Sequence, residues 1–304
     1  MVRISSARFE RSFSLKDIGA LQYLRHLTQL LATVFANGKL LGLASTGLIV
    51  PYLHVTQSPW STVHGAYESL EYTIARGVFP LLVLGVIYLT AVTVGRLFCG
   101  WACPFGLVQD ILSYLPFKKE KLSASTTSQL KDLKWAVLGF SLISVILVAW
   151  RRASAMGHED PMGVFSDSPF SVISPAGTLF AYLPWLALWN TNVLLSAGLI
   201  AWIKLALCVA VLVPSVYIPR FFCRYLCPMG TLLEPLSSYK VLRIARSSKT
   251  PVQDANKVLG DVCPMGVQLE KEDYVSDHPS CIHCGKCVTE APATFAQTLF
   301  EKSN

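Results

Sequence analysis

Apolar residues along this chain fall into long runs rather than into the alternating or three-to-four spacing of soluble elements. A helix needs roughly 20 mostly apolar residues to cross a hydrocarbon layer about 30 Å thick. Four stretches come close to that length: Leu27–Leu53, Val78–Phe98, Leu133–Trp150 and Asn192–Tyr217. A fifth, Ile173–Trp189, is shorter and interrupted by Pro175, Gly177 and Pro184, and reads as an interfacial or re-entrant segment. The pattern predicts a mainly α protein, a polytopic membrane helical bundle of about four transmembrane helices. Residues 1–26 form a polar, basic N-terminal segment, 27–239 the membrane domain, and 240–304 a smaller polar domain.

Composition agrees with lipid as the solvent. Hydrophobic residues make up 52% of the 304 and charged residues only 15%, against roughly a quarter charged in ordinary soluble domains. The formal net charge of +7 raises nucleic acid as a partner, but the basic residues cluster beside the apolar runs and are better read as setting orientation. Five precede the first run, six lie from Arg96 to Lys134 and ten from Arg220 onward, whereas the opposite loops hold Arg76, Arg151 and Arg152. This asymmetry predicts a multi-pass protein of the cell (inner, cytoplasmic) membrane with both termini in the cytoplasm. Residues 1–26 contain no short apolar core ahead of a small-residue cleavage site and read as a retained segment. Lys39 and Lys204 fall inside predicted spans, as snorkelling residues or as functional charges facing a polar cavity or quinone. Tyr52, Trp60, Trp150 and Trp189 read as interfacial anchors.

The nine cysteines are not scattered. The segment Arg96–Gly106, with Cys99 and Cys103, recurs 124 residues later as Arg220–Gly230, with Cys223 and Cys227. Over 96–115 and 220–239, eight of twenty positions are identical, including both cysteines, the following proline and a glycine. Each copy follows an apolar run ending on the cytoplasmic side, so a pseudo-twofold along the membrane normal would bring the four thiols together. C-x3-C spacing places two thiols on one helix face, and the proline marks a helix end or a fresh start. Four such thiols could hold an iron–sulfur cluster, copper or zinc, or cycle between dithiol and disulfide. Cys208, alone within an apolar run, reads as a packing residue.

Near the C-terminus stands Cys281-Ile-His-Cys284-Gly-Lys-Cys287, a C-x2-C-x2-C run that wraps three thiolates around one face of a cubane. The position that would send a ligand to a sister cluster is Ala291, followed by Pro292. Cys263, followed by Pro264, supplies a fourth ligand upstream. Cys263, Cys281, Cys284 and Cys287 therefore make one complete [4Fe–4S] site on a ferredoxin-like scaffold reduced to a single cluster. A four-cysteine zinc site and a disulfide framework are the alternatives. His283 reads as an exposed bystander or as a residue tuning potential. In the outer loops, His54, His64 and Met156–Met162 read as solvated loop or as copper-handling groups.

Paired C-x3-C-P motifs at the ends of two spans, followed by a ferredoxin-like tail, resemble the membrane ferredoxin-type 4Fe–4S proteins. These include the membrane subunit of periplasmic nitrate reductase systems, methylamine-utilisation ferredoxin proteins, nitrous oxide reductase regulators and the cytochrome oxidase copper-assembly reductase. The stretch Tyr23–Gln29 and the run into Phe98–Pro104 look most like the nitrate-reductase type. The resemblance implies electron flow between the quinone pool and a partner redox protein or metalloenzyme complex, as an electron-transfer component of an oxidoreductase complex such as a quinol dehydrogenase subunit. It equally admits a copper-handling or reductive assembly factor, and a structural or sensory subunit with a non-catalytic cluster remains open.

Overall fold

The computed structural model describes residues 19–54, 58–117, 119, 124–154, 167–184, 186, 198–236, 242–246, 251–269, 274–291 and 295–299. Most of the basic segment 1–26, the Met156–Met162 loop and Trp189 lie outside these residues.

The first helix, α1 (Ala20–Ala36), is amphipathic with its polar face inward. Gln22, Arg25 and Gln29, spaced three and four apart on one face, are buried, while Leu24, Leu27, Leu30 and Leu31 point outward. In water that arrangement would be upside down; against lipid it is the expected one. The helix stops at Asn37 and the chain turns through a 3₁₀ segment, Gly38–Leu41, to Gly42 at φ 78°. The expected Leu27–Leu53 span is therefore not one helix. Asn37-Gly38 is a turn dipeptide, and an averaged hydropathy reads straight across it. Lys39 sits exposed on this turn rather than within a span.

Beyond the turn, β1 (Ile49–Val50) pairs in parallel with β2 (His64–Gly65). Tyr52 and Trp60 are buried here instead of anchoring an interface, and Trp150 alone of the described anchors is exposed. His54 is also buried; its Nε2 lies 2.9 Å from Ser61 Oγ, and burial pushes its pKa down to about 4, which leaves the imidazole neutral. Helices α2 (Ala66–Ala75) and α3 (Leu81–Thr93) follow. At 13 residues, α3 is about 20 Å long, shorter than the predicted Val78–Phe98 span.

Among the described residues, two helices reach membrane-spanning length and apolarity: α6 (Ala124–Ser154), through its Gln129–Ser154 stretch, and α9 (Leu199–Tyr217). Only 28% and 17% of their most apolar windows are buried inside the protein. Leu81, Leu82, Phe140, Trp150 and Leu199 are each more than two-thirds exposed. Soluble proteins do not present that much contiguous apolar surface to water. Between α6 and α9, α7 (Pro169–Ile173) and α8 (Pro175–Gly177) run into a π-helical turn, Thr178–Tyr182, with the break at Ser174. Lys204 of α9 directs its Nζ to the Tyr182 ring, 5.2 Å from the centroid.

Glu71 ties α2, α6 and α7 together. Its carboxylate accepts from the N–H groups of Phe170 and Ser171 at 3.0 and 3.1 Å. The hydroxyls of Ser171 and Ser141 also donate to it, at 2.6 and 3.2 Å. Removing the acceptor strands several buried donors at about 1–3 kcal/mol each. Glu71→Ala is expected to destabilise the bundle by about 3 kcal/mol, read as a lowered thermal midpoint in detergent; a change below about 1 kcal/mol would show the carboxylate to be dispensable.

The two cysteine repeats occupy α4 (Leu97–Trp101) with α5 (Pro104–Ser113), and α10 (Phe221–Tyr225) with α11 (Pro228–Leu233). After them, β3 (Leu242–Arg246) pairs antiparallel with β4 (Phe295–Leu299), from Leu242↔Leu299 to Arg246↔Phe295. Helices α12 (Val252–Val262) and α13 (Lys286–Glu290) complete this unit.

Candidate iron–sulfur centres

Each C-x3-C-P segment folds as two short helices rather than one. The residue before proline is pushed out of the helical region, so Cys103 and Cys227 are extended (φ −68° and −72°) and cap α5 and α11, whose first residues are Pro104 and Pro228. The thiols thus come from a helix and from the break after it, not from one helix face. Amide donors reach them: Gly230 N–H points to Cys227 Sγ at 3.4 Å, Gln109 Nε2 to Cys223 Sγ at 3.1 Å, and Gly106 N–H to Cys103.

The copies meet by a reciprocal clasp. Arg220 of the second donates from Nη1 to the Cys99 carbonyl of the first at 2.7 Å, and Arg96 of the first donates to the Cys223 carbonyl of the second at 3.3 Å. Each guanidinium lies over the other copy's glycine: a β-carbon at Gly106 would stand 3.4 Å from Arg220, and one at Gly230 only 2.7 Å from Arg96. The acids at the repeat offset follow suit. Asp110 takes Arg220 in a two-pronged ion pair (2.8 and 2.6 Å) and Arg25 of α1 at 3.1 Å. Its counterpart Glu234 pairs with Lys134 of α6 and accepts from Ser280 Oγ at 3.1 Å. Arg220 and Arg25 outweigh burial and hold the Asp110 carboxyl well below the usual range.

Cys99, Cys103, Cys223 and Cys227 are thereby brought into one neighbourhood. Burial first, and then the proximity of the other thiols, pushes Cys103 and Cys227 up, so thiolates gathered here call for a cation among them. Cys208 lies apart in α9, against the Pro175 carbonyl at 3.8 Å.

The tail cysteines form a second set. Cys263, Cys281, Cys284 and Cys287 all line one pocket, walled by Ile244, Met265, Val275 and Ile282. Cys263 follows α12, and the N–H groups of Met265, Gly266 and Val267 turn toward its sulfur. Cys287 lies on α13, behind Gly285 at φ 72°. His283, expected at the surface, is 2% exposed, and its carbonyl accepts the Trp101 indole N–H at 2.8 Å. The loop has no room to keep that ring outside, because it is pressed against α1 and α4. Gln22 donates to the Cys284 carbonyl at 2.9 Å, and a β-carbon at Gly100 would stand 2.2 Å from the Ile282 carbonyl. Arg224 of the second copy meets Gly266 (φ 60°), where a β-carbon would stand 2.4 Å from its guanidinium. The tail thus seats on both copies.

The donor chemistry fits clusters. Among the described residues, no group of three or more His, Cys, Asp or Glu is placed to hold a single metal ion. A cubane instead takes one thiolate at each of four iron corners, and amide N–H groups aimed at sulfur are among the features that tune such a cluster.

Two sets of four thiols, six of the eight buried and Cys227 and Cys263 half-buried, are the donor groups of a ferredoxin-type iron–sulfur protein. Two segments, residues 76–123 and 200–247, match a family described as a 4Fe-4S binding domain. Each contains one C-x3-C-P copy, so the chain carries two segments similar to that 4Fe-4S binding domain. The chain is similar to the putative electron transport protein YccM of Escherichia coli (24% identity, over 79% of this chain and 62% of that protein). It is also similar to an uncharacterized protein of Methanocaldococcus jannaschii (26%, over 75% and 76%). A third relative is the methylamine utilization ferredoxin-type protein MauN of Methylobacillus flagellatus (28%, over 49% and 42%). No solved structure matches the chain.

Sequence reasoning treated Arg25, Arg96 and Arg220 as topological charges and gave no role to Asp110 or Gly100. The repeat held the signal: both repeat arginines precede the first cysteine by three, and acids stand at the same offset in each copy.

Proposed function

We propose that this chain is a membrane-bound electron-transfer protein with two [4Fe–4S] centres. Cys263, Cys281, Cys284 and Cys287 hold one; Cys99, Cys103, Cys223 and Cys227 hold the other. Both centres and both termini face the cytoplasm, as the distribution of basic residues favours. Electrons pass between quinone in the bilayer and a partner redox enzyme, the chain itself supplying no flavin or nicotinamide fingerprint. A cluster of this kind contributes a one-electron couple whose potential depends on burial, charge and hydrogen bonds to sulfur.

The observation that carries this reading is the contact between the two sets. Gly100 touches Ile282, Trp101 donates to His283 and Gln22 to Cys284, so no solvent layer separates the first repeat from the tail loop. The protein's part is to keep both thiol sets largely buried, supplied with N–H donors and close together. Iron and acid-labile sulfide counted after anaerobic purification are expected at about eight of each per chain, with two reduced-state EPR signals. About four irons would leave the C-x3-C-P thiols to copper or disulfide chemistry, and none would sink the proposal.

A further inference from the structure

Arg220 lies where the two cysteine sets meet. Its side chain is fully buried, and its backbone is left-handed (φ 54°), a conformation long side chains seldom adopt. That backbone turns the guanidinium back under the first repeat, with Nη1 on the Cys99 carbonyl and Nε and Nη2 on Asp110. The Cys99 carbonyl it holds adjoins Gly100, whose β-carbon position lies 2.2 Å from the Ile282 carbonyl and 3.7 Å from the Cys284 nitrogen, so the charge stands close to the tail loop as well as to Cys223. Arg96, its counterpart in the repeat, reaches Cys223 and Cys227.

We propose that Arg220 is a positioning charge shared by the two cysteine sites, which sets both reduction potentials together. This rests on the assignment of a cluster to each site. A guanidinium is always protonated, so its charge is fixed. Reduction adds negative charge to a thiolate-bound cluster, and a fixed cation in a poorly polarisable interior stabilises that reduced form. Arg220 therefore raises both potentials. Asp110 opposes it, Arg25 adds to it, and the trio carries one net positive charge. Burial works against the charge on Arg220, but Asp110 and the neighbouring thiols outweigh it and push its pKa up.

The sign of this arrangement separates an electrostatic role from a structural one. In full-length protein titrated redoxically and followed by EPR, Arg220→Gln is expected to lower both midpoint potentials, and Asp110→Asn to raise both. Arg220→Lys keeps the charge and should leave both near the native values, while Arg96→Gln should lower the four-thiol site alone. An unmoved tail potential in iron-replete Arg220→Gln would overturn the proposal. So would shifts of the same sign in Arg220→Gln and Asp110→Asn, which is what loosened packing would produce. Should Arg220→Gln fail to accumulate, the Asp110→Asn and Arg220→Lys pair decides: a rise in the first with no change in the second supports the shared charge, and any other pattern overturns it. Iron content is read separately. About four irons per chain would defeat the second cluster, while a tail signal unmoved by Arg220 would defeat the inference even with about eight.

Discussion

Cys281→Ser is expected to remove about four of roughly eight irons per chain, together with one of the two reduced-state EPR signals. The cavity it lines is closed by four thiols from three places: the end of α12, the 281–285 loop and the start of α13. Serine keeps the size of the side chain but replaces a soft thiolate ligand with a poorly acidic hydroxyl. The four-thiol site draws its ligands from residues 99–103 and 223–227, so its signal should persist, and Cys223→Ser should give the complementary result. Retention of all iron in Cys281→Ser would remove the tail site from the protein's chemistry. Loss of both signals would mean that the tail must be filled before the repeats can be.

The second large effect is expected at Gly100. A β-carbon there would lie 2.2 Å from the Ile282 carbonyl oxygen, and a backbone atom cannot swing aside as a side chain can. Overpacking of this kind costs about 1–3 kcal/mol, and because the obstacle is main chain we place Gly100→Ala at the upper end, about 3 kcal/mol. The tail would lift from α4, and the Trp101 and Gln22 hydrogen bonds would be lost with it. The readouts are a lowered thermal midpoint, protease sensitivity of the segment beyond residue 240, and weakened magnetic coupling between the two reduced centres. Gly85 and Gly139, with open space at their β-carbon positions, serve as controls: alanine there should be neutral or slightly stabilising, since alanine is the better helix former. A Gly100→Ala protein as stable as these controls would show that the tail is not seated where the structure puts it.

How far such features can be read from sequence depends on whether the signal is local. The repeat was legible because eight identities recur at one offset, and α6 and α9 because their apolar runs are unbroken. Leu27–Leu53 misled because its apolar average hides Asn37-Gly38, two residues sufficient to turn the chain. The inward polar face of α1 was hidden for a related reason: an average weighs Arg25 and Gln29 against their leucine neighbours without asking which way each points. His283 was misplaced because its burial depends on α4, some 180 residues away, which no local pattern encodes. Arg96 and Arg220 were counted as charges marking the cytoplasmic side, yet both are buried, so part of the apparent orientation signal is internal structure. The count still favours the same side without them.

The reciprocal clasp also bears on the order of events as the chain is made. Arg220, which the first repeat needs against its Cys99 carbonyl and Asp110, lies 110 residues beyond that acid. A ribosome that has just finished α5 has therefore produced two thiols and a buried-type carboxylate with only Arg25 to neutralise the acid and no second repeat to enclose them. They stay open until α9 and α10 are in place, and Gly100 stays bare until residues 281–285 arrive at the far end. On the proposed assignment the two sites are thus completed in sequence, the four-thiol set once residues 223–227 are made and the tail set only after Cys287, so a chain that stopped before residue 281 would carry the first set of ligands without the second.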